Sequence, residues 1–309
     1  MKNKESNFVS AILYVHNAHG IVTAFVKQLN SVLSDNFSKY EIICVNDWSS
    51  DDSTSEIRKV AKSCAGGAVV CMDMGFYHGL ENSMNAGVDY ASGDFVFEFD
   101  SLNVDYDFSL VIDVYNRCLQ GYDIVGAAPQ GKSRASSRLF YLLFNKHSKT
   151  QHPLMTESFR ILSRRAINRI KQMNVALPYR KVVYANCGLK VDSISYAPNP
   201  GVAAVNNAEL AYRGSVAFDS FFIFTDLAGK VSIALTFIML VFSIFAGAYT
   251  FAVFISSQPV AGWTTTMLVL SFGFFGMFAI LSMVIKYLSV ILSLIFKKIK
   301  YVIGNIERL

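Results

Sequence analysis

The chain has 309 residues, a formal net charge of +5 and a mean hydropathy of +0.35. That length holds a soluble domain of about 225 residues plus a hydrophobic end. The five cysteines (Cys44, Cys64, Cys71, Cys118 and Cys187) are odd in number and lack CxxC or Cys/His ligand spacing, which argues against a disulfide framework or a zinc site.

Phe8–Val15 is an apolar run of strand length, and Ile21–Leu33 carries apolar residues at helical spacing. Glu41–Val45 reads as a second strand. It ends in Asn46-Asp47-Trp48-Ser49-Ser50-Asp51-Asp52-Ser53, rich in turn and N-cap residues, before a helix over Ser55–Ala61. Ala68–Met72 is a third strand, Leu80–Tyr90 a helix, Phe95–Phe99 a fourth strand, Phe108–Leu119 a helix and Ile124–Ala127 a short strand. Such alternation predicts an α/β domain with a doubly wound, mostly parallel sheet. Ligands then bind beyond the carboxyl ends of the strands, where His16-Asn17, Asn46-Asp47 and Asp100 fall.

From Ser133 the pattern changes. Ser136–Lys146 reads as a helix with a strongly apolar face, Phe159–Met173 carries five basic residues, and Pro178–Val191 looks extended. Residues 217–229 suit an interfacial helix. Residues 230–256 and 263–286 are each long enough to cross a bilayer, and the short turn between them makes a hairpin. Lys230, Lys286, Lys297, Lys298 and Lys300 flank the hairpin, whereas its turn has no Lys or Arg. The positive-inside rule therefore places residues 1–216, and both termini, in the cytoplasm. Residues 287–309 read as a basic cytosolic or interfacial segment. Anionic headgroups explain such a segment better than nucleic acid does.

The strand-end motifs carry a resemblance. Ile43–Ser53 resembles the V-D-D-G-S-x-D segment of inverting GT-A glycosyltransferases of family two, and Gly79–Gly87 with Ala91-Ser92-Gly93-Asp94 resembles that family's G-x-E-x-A-x-x-A-G and A-x-G-D. Asp100 falls where its D-A-D-L-Q segment begins. Ser137–Asn145 and Thr156–Arg164 resemble S-R-x-F-Y-R-x-x-N and T-G-[SD]-F-R-L-x-[SR]-R. With the hairpin, the similarity points to the polyprenyl-phosphate branch, close to dolichol-phosphate mannose synthases and bactoprenol glucosyltransferases.

The resemblance implies a GT-A domain that moves a sugar from a UDP- or GDP-linked donor to a polyprenyl phosphate at a membrane. It implies donor contacts at Asn17, Asn46, Asp47, Glu81 and Asp100, and catalytic roles for Asp100, Ser158 and Arg160. Acceptor phosphate falls to Arg138, Arg160, Arg180 and Lys181, since guanidinium groups grip phosphate oxygens in bidentate fashion. Mg²⁺ or Mn²⁺ would sit on Asp100. Departures cluster at the same place. The first strand ends His16-Asn17-Ala18 without the family's acidic residue, Asn46 replaces the first Asp of the pair, and Leu102 replaces the second Asp of D-A-D. Leucine offers a hard cation no oxygen, so metal use is weakened or absent. Two readings stay open: an active transferase, self-associated or with a partner, and an inactive homologue serving as a subunit of another membrane transferase.

Structural roles compete at several positions. Asp47 could cap the following helix, Glu81 could complement a helix dipole, and the run Arg160–Lys171 could be a solvated helix face. Trp48 stands where the family has glycine and cannot take positive φ cheaply. It either reshapes the loop or packs over the nucleotide pocket.

Overall fold

The structure is a computed structural model. It describes residues 4–64, 66–131, 141–142, 144–146, 152–173, 179–199, a few helical residues between 234 and 245, 263–296 and 301–309. The chain divides into two compact units. One comprises residues 1–145, 150–217 and 298–309, and the other 146–149 and 218–297.

The first unit is built on eight strands: β1 (Glu5–Val15), β2 (Phe37–Asn46), β3 (Ala68–Met74), β4 (Phe95–Phe99), β5 (Ile124–Pro129), β6 (Phe159–Ser163), β7 (Val191–Tyr196) and β8 (Ile303–Arg308). Their order in the sheet is β7-β5-β6-β4-β1-β2-β3-β8. Side chains alternate between the faces of a strand. In β1, Val9, Ala11, Leu13 and Val15 enter one core and Ile12 the other. The first core is closed by α1 (Val22–Asn36), α2 (Ser53–Ala61) and α4 (Leu110–Leu119). The second is closed by α3 (Leu80–Tyr90), α5 (Arg164–Met173) and α6 (Arg180–Ala185). With both faces covered, the central strands read as continuous apolar runs. The α1 stripe Val22, Phe25, Val26, Leu29 and Leu33 has the helical spacing that points one face inward.

The β1 to β4 core is parallel: Val15 lies opposite Asn46, Asn46 opposite Asp73, and Leu13 opposite Phe99. Two strands run the other way, β6 between β4 and β5, and β8 on the outer edge of β3. The sheet is therefore mixed.

Three local expectations fail for identifiable reasons. The basic run from Phe159, read as one helix face, splits into β6 and α5, and Arg160 lies buried within β6. The segment expected to be extended contains α6, whose Arg180 N–H donates to Glu81 Oε2 at 2.9 Å. A carboxylate at the first turn satisfies a donor that a helix end leaves open. Residues 303–308, placed in a basic tail, form β8, with Gly75 N–H donating to Val302 O at 2.9 Å and Leu309 N–H to Val69 O at 2.8 Å. Most of the expected 136–146 helix, the 217–229 helix and the 230–256 span lie outside the described residues.

In the second unit, α7 (Trp263–Phe296) is a continuous helix of 34 residues with Phe275 and Phe278 exposed. A Cβ at Gly276 would clash with the Met239 side chain, and the Phe242 and Phe272 rings pack 4.7 Å apart. Among the residues described in full, no helix is long and apolar enough to cross a membrane.

Candidate active site

The carboxyl ends of β1, β2 and β3 meet around Asp47, which is fully buried. Its Oδ1 accepts the His78 N–H at 2.8 Å, and its Oδ2 accepts the Gly79 N–H at 2.8 Å and the Tyr14 hydroxyl at 3.0 Å. Three donors on one carboxylate make Asp47 the knot that fixes the turn into α3, a site that needs Gly79 at φ +78°. His16 Nδ1 lies 2.7 Å from the Asp47 carbonyl oxygen and so must donate to it. Its Nε2 faces Asn17 Nδ2 at 3.3 Å, and its ring packs 4.9 Å from that of Tyr77. Asn46 donates to Asp73 Oδ1 at 2.7 Å and Thr54 Oγ1 at 2.9 Å, and accepts the Ser49 N–H. Asn17, at φ +48°, accepts the Ser50 N–H at 2.9 Å. The side-chain amides of Asn17 and Asn46 thus brace the β2–α2 loop.

A second cluster lies at the end of β4. Arg160, 1% exposed, donates Nε–H to Glu157 at 2.9 Å, Nη1–H to Glu98 at 2.8 Å and Nη2–H to Asp100 Oδ2 at 2.9 Å. Arg180, 3% exposed, donates to Glu81 at 2.9 Å, to Glu98 at 2.7 Å and to Asp100 Oδ1 at 2.6 Å. The Tyr184 hydroxyl completes Glu98 at 2.8 Å, and Lys181 Nζ reaches Glu157 at 4.0 Å. Antiparallel pairing puts Arg160 directly opposite Glu98 in β4 and Gly126 in β5. Gly126 leaves room for the Glu157 side chain, which occupies the space a Cβ would take. Burial works to raise the Asp100 pKa, but Arg180, Arg160 and Lys181 override it and hold the carboxyl well below its ordinary range. Burial also pushes the Tyr184 hydroxyl well up, which keeps it a donor to Glu98.

The donor set does not fit a divalent metal. Each oxygen of Asp100 already receives a guanidinium N–H. Leu102 is 7% exposed and packs in the first core. Among the described residues no group of three or more His, Cys, Asp or Glu could hold a metal ion, whereas hard cations take six or more oxygens.

Ser158 stands apart from the arginine cluster. Its hydroxyl lies 2.5 Å from the Tyr196 hydroxyl, which donates to Asp105 Oδ1 at 2.5 Å. With Tyr196 donating to Asp105, Ser158 donates to Tyr196.

The structure gathers Glu81, Asp100, Arg160, Arg180 and Lys181 into one network, with Asn17, Asn46 and Asp47 in another and Ser158 in a third. Arg138 lies outside the described residues. Sequence reasoning missed Glu98 and Tyr184; Glu157, expected with Ser158 at the sugar and acceptor end, instead receives the Arg160 Nε–H. One signal was available: Glu98 interrupts the apolar run Phe95-Val96-Phe97-Glu98-Phe99, and a charge inside a strand buried on both faces needs a partner.

Comparison with known proteins agrees with this architecture. The model of the family described as Glycosyl transferase family 2 matches residues 10–170. An uncharacterized glycosyltransferase of Synechocystis is 26% identical over 229 residues, covering 72% of this chain and 71% of its own length. A bactoprenol glucosyl transferase of Shigella phage SfV is 25% identical over 225 residues, covering 69% and 72%. Among solved structures, a mannosyltransferase of Pyrobaculum calidifontis, in complex with GDP-Man and Mn²⁺, superposes with a TM-score of 0.55. The superposition covers 96% of this chain and 89% of that one at 14% identity, a likeness of fold alone.

Proposed function

The chain belongs to glycosyl transferase family 2, and from that premise we propose that it moves a sugar from a nucleoside-diphosphate donor to the phosphate of a polyprenyl lipid at a membrane. The observation that carries this reading is the similarity to bactoprenol glucosyl transferases over 69% of the chain. The apolar α7 supports it as a helix that meets lipid: Phe275 and Phe278 are exposed and Lys286 is its only charged residue. The close approach of Met239 at Gly276 supports a second helix packed on it.

In this reading the donor lies across the ends of β1 to β4, above Asn17, Asp47 and Asp100. The acceptor phosphate attacks the anomeric carbon, a new carbon–oxygen bond forms with inversion, and the nucleoside diphosphate departs. The acceptor is already an anion, so no strong base is needed. Arg160 and Arg180 act as fixed charge that holds Asp100 in place, and Lys181 and Arg138 meet phosphate. Glu81 serves by positioning Arg180. Ser158 lines the sugar end. The chemistry runs without a metal, because guanidinium groups occupy the oxygens of Asp100.

The test is transfer of labelled sugar from UDP-glucose, UDP-galactose, UDP-GlcNAc or GDP-mannose to undecaprenyl phosphate in detergent, with EDTA or with Mg²⁺ or Mn²⁺. Product with at least one donor, unchanged by EDTA, is expected. A strict Mn²⁺ requirement would overturn the metal-free site. The closed carboxylate cage around both arginines favours one second reading, a non-catalytic subunit of another transferase. Nucleotide binding without turnover of any donor would establish it.

A further inference from the structure

Trp48 follows the buried Asp47 and adopts φ +55°, a conformation that a bulky side chain takes only under constraint. Its side chain does not repay that strain by packing. It is 59% exposed and belongs to neither core. The turn itself is already fixed by the three donors on Asp47 and by Asn46 and Asn17. The strain therefore serves to display an indole at the carboxyl end of β2. Next to it, His16 holds the carbonyl of Asp47 and packs on Tyr77. Three aromatic rings thus come from the ends of the adjacent strands β1, β2 and β3, the edge where a doubly wound sheet receives its ligand.

Resting on the transferase reading above, the geometry points to Trp48 as a stacking platform for the nucleobase of the sugar donor, with His16 and Tyr77 forming the facing rim. A nucleobase is flat and uncharged, and its stacking on an aromatic face tolerates either base class. Local charge favours this occupant over a lipid surface. Residues 46–53 and 75–79 contain Asp47, Asp51 and Asp52 but no Lys or Arg, and an anionic headgroup layer recruits basic segments. In place of glycine, Trp48 thus has a use that only binding would reveal.

The chain has two tryptophans, so Trp263→Phe leaves Trp48 as the sole indole reporter. Full-length Trp263→Phe protein in detergent would be titrated with UDP, GDP and pyrophosphate, with calorimetry of Trp48→Ala and Trp48→Gly in parallel. Saturable quenching by UDP or GDP but not by pyrophosphate is expected. Both Trp48 variants should lose nucleotide affinity by about 5- to 100-fold, the range for one stacked base. Trp48→Gly should melt no lower than the parent, because glycine accepts positive φ freely. Unquenched emission with unchanged affinity in the variants would overturn Trp48 alone and leave the donor reading standing. An emission response only to phosphatidylglycerol vesicles would overturn it in favour of lipid contact. If neither nucleotide binds the parent protein, the donor reading falls and this assignment falls with it.

Discussion

Asp100 shows how one carboxylate can be both the expected chemical centre and a structural keystone. Its pKa is depressed by Arg180, Arg160 and Lys181 against the pull of burial. A carboxyl with a folded pKa below its unfolded value, about 3.9, contributes stability that is complete above that value and is lost as pH falls towards the folded one. Urea midpoints should thus fall more steeply between about pH 4 and pH 2 in the parent protein than in Asp100→Asn. Equal slopes would show that Asp100 is not held by the two arginines. The same cluster marks the limit of what the sequence made legible. Motif spacing identified Asp100 and Arg160, because each sits in a stretch with family register, whereas Arg180 was named only as one of several basic residues for the acceptor phosphate. It could not show that Glu98 stands opposite Arg160, since cross-strand partners depend on β6 inserting antiparallel between β4 and β5. Nor could spacing reveal that Asp47 spends its carboxylate on His78, Gly79 and Tyr14, because two of those donors are backbone groups.

At the scale of elements, strands buried on both faces announce themselves as apolar runs, which is why β1 to β5 fall where the sequence placed them. Elements with a mixed role do not. β6 reads as basic because Arg160 is buried among acids, and α6 reads as extended because its valines are β-branched and its helical start depends on distant Glu81. β8 carries Asn305, Glu307 and Arg308 on a short polar stretch, with nothing local to say that the edge of β3 is waiting. Glycine has a positional role in one turn that can be tested. A Cβ at Gly93 would stand 2.6 Å from Ser10 N and 2.9 Å from Phe8 O, and backbone atoms cannot step aside. Gly93→Ala should cost about 1–3 kcal/mol as overpacking, read as a lower thermal midpoint with the candidate-site residues untouched. An unchanged midpoint would show that β1 has room to move.

For the whole molecule, the proposed function asks an α/β domain and an apolar helix to serve one reaction. Under the proposed function, a polyprenyl phosphate presents its reactive end at the bilayer surface, so a sheet tethered to that surface would meet its acceptor without a search through solution. The tether is the testable part. Expressed in a bacterial host, the full-length chain should stay with membranes through an alkaline carbonate wash and enter solution only with detergent. Recovery in the carbonate supernatant would mean that α7 packs within protein, and would remove the physical argument for a lipid acceptor while leaving the family assignment intact.

The edge strand β8 imposes an order on how the molecule comes into being. β3 ends at Met74 and its partner begins at Ile303, so more than two hundred residues separate them during synthesis. At about 5–20 residues per second, the β3 edge stays open for on the order of ten seconds or more after it is made. An open edge is a template for the wrong neighbour. The eight-stranded sheet is therefore completed only after α7 has left the ribosome, and the His78 ring, which accepts the Val302 N–H at 2.9 Å, reaches its final bonding only then. The loop that supplies two donors to Asp47 is sealed by Val302, so synthesis itself delays assembly of the candidate site until the apolar segment has been made.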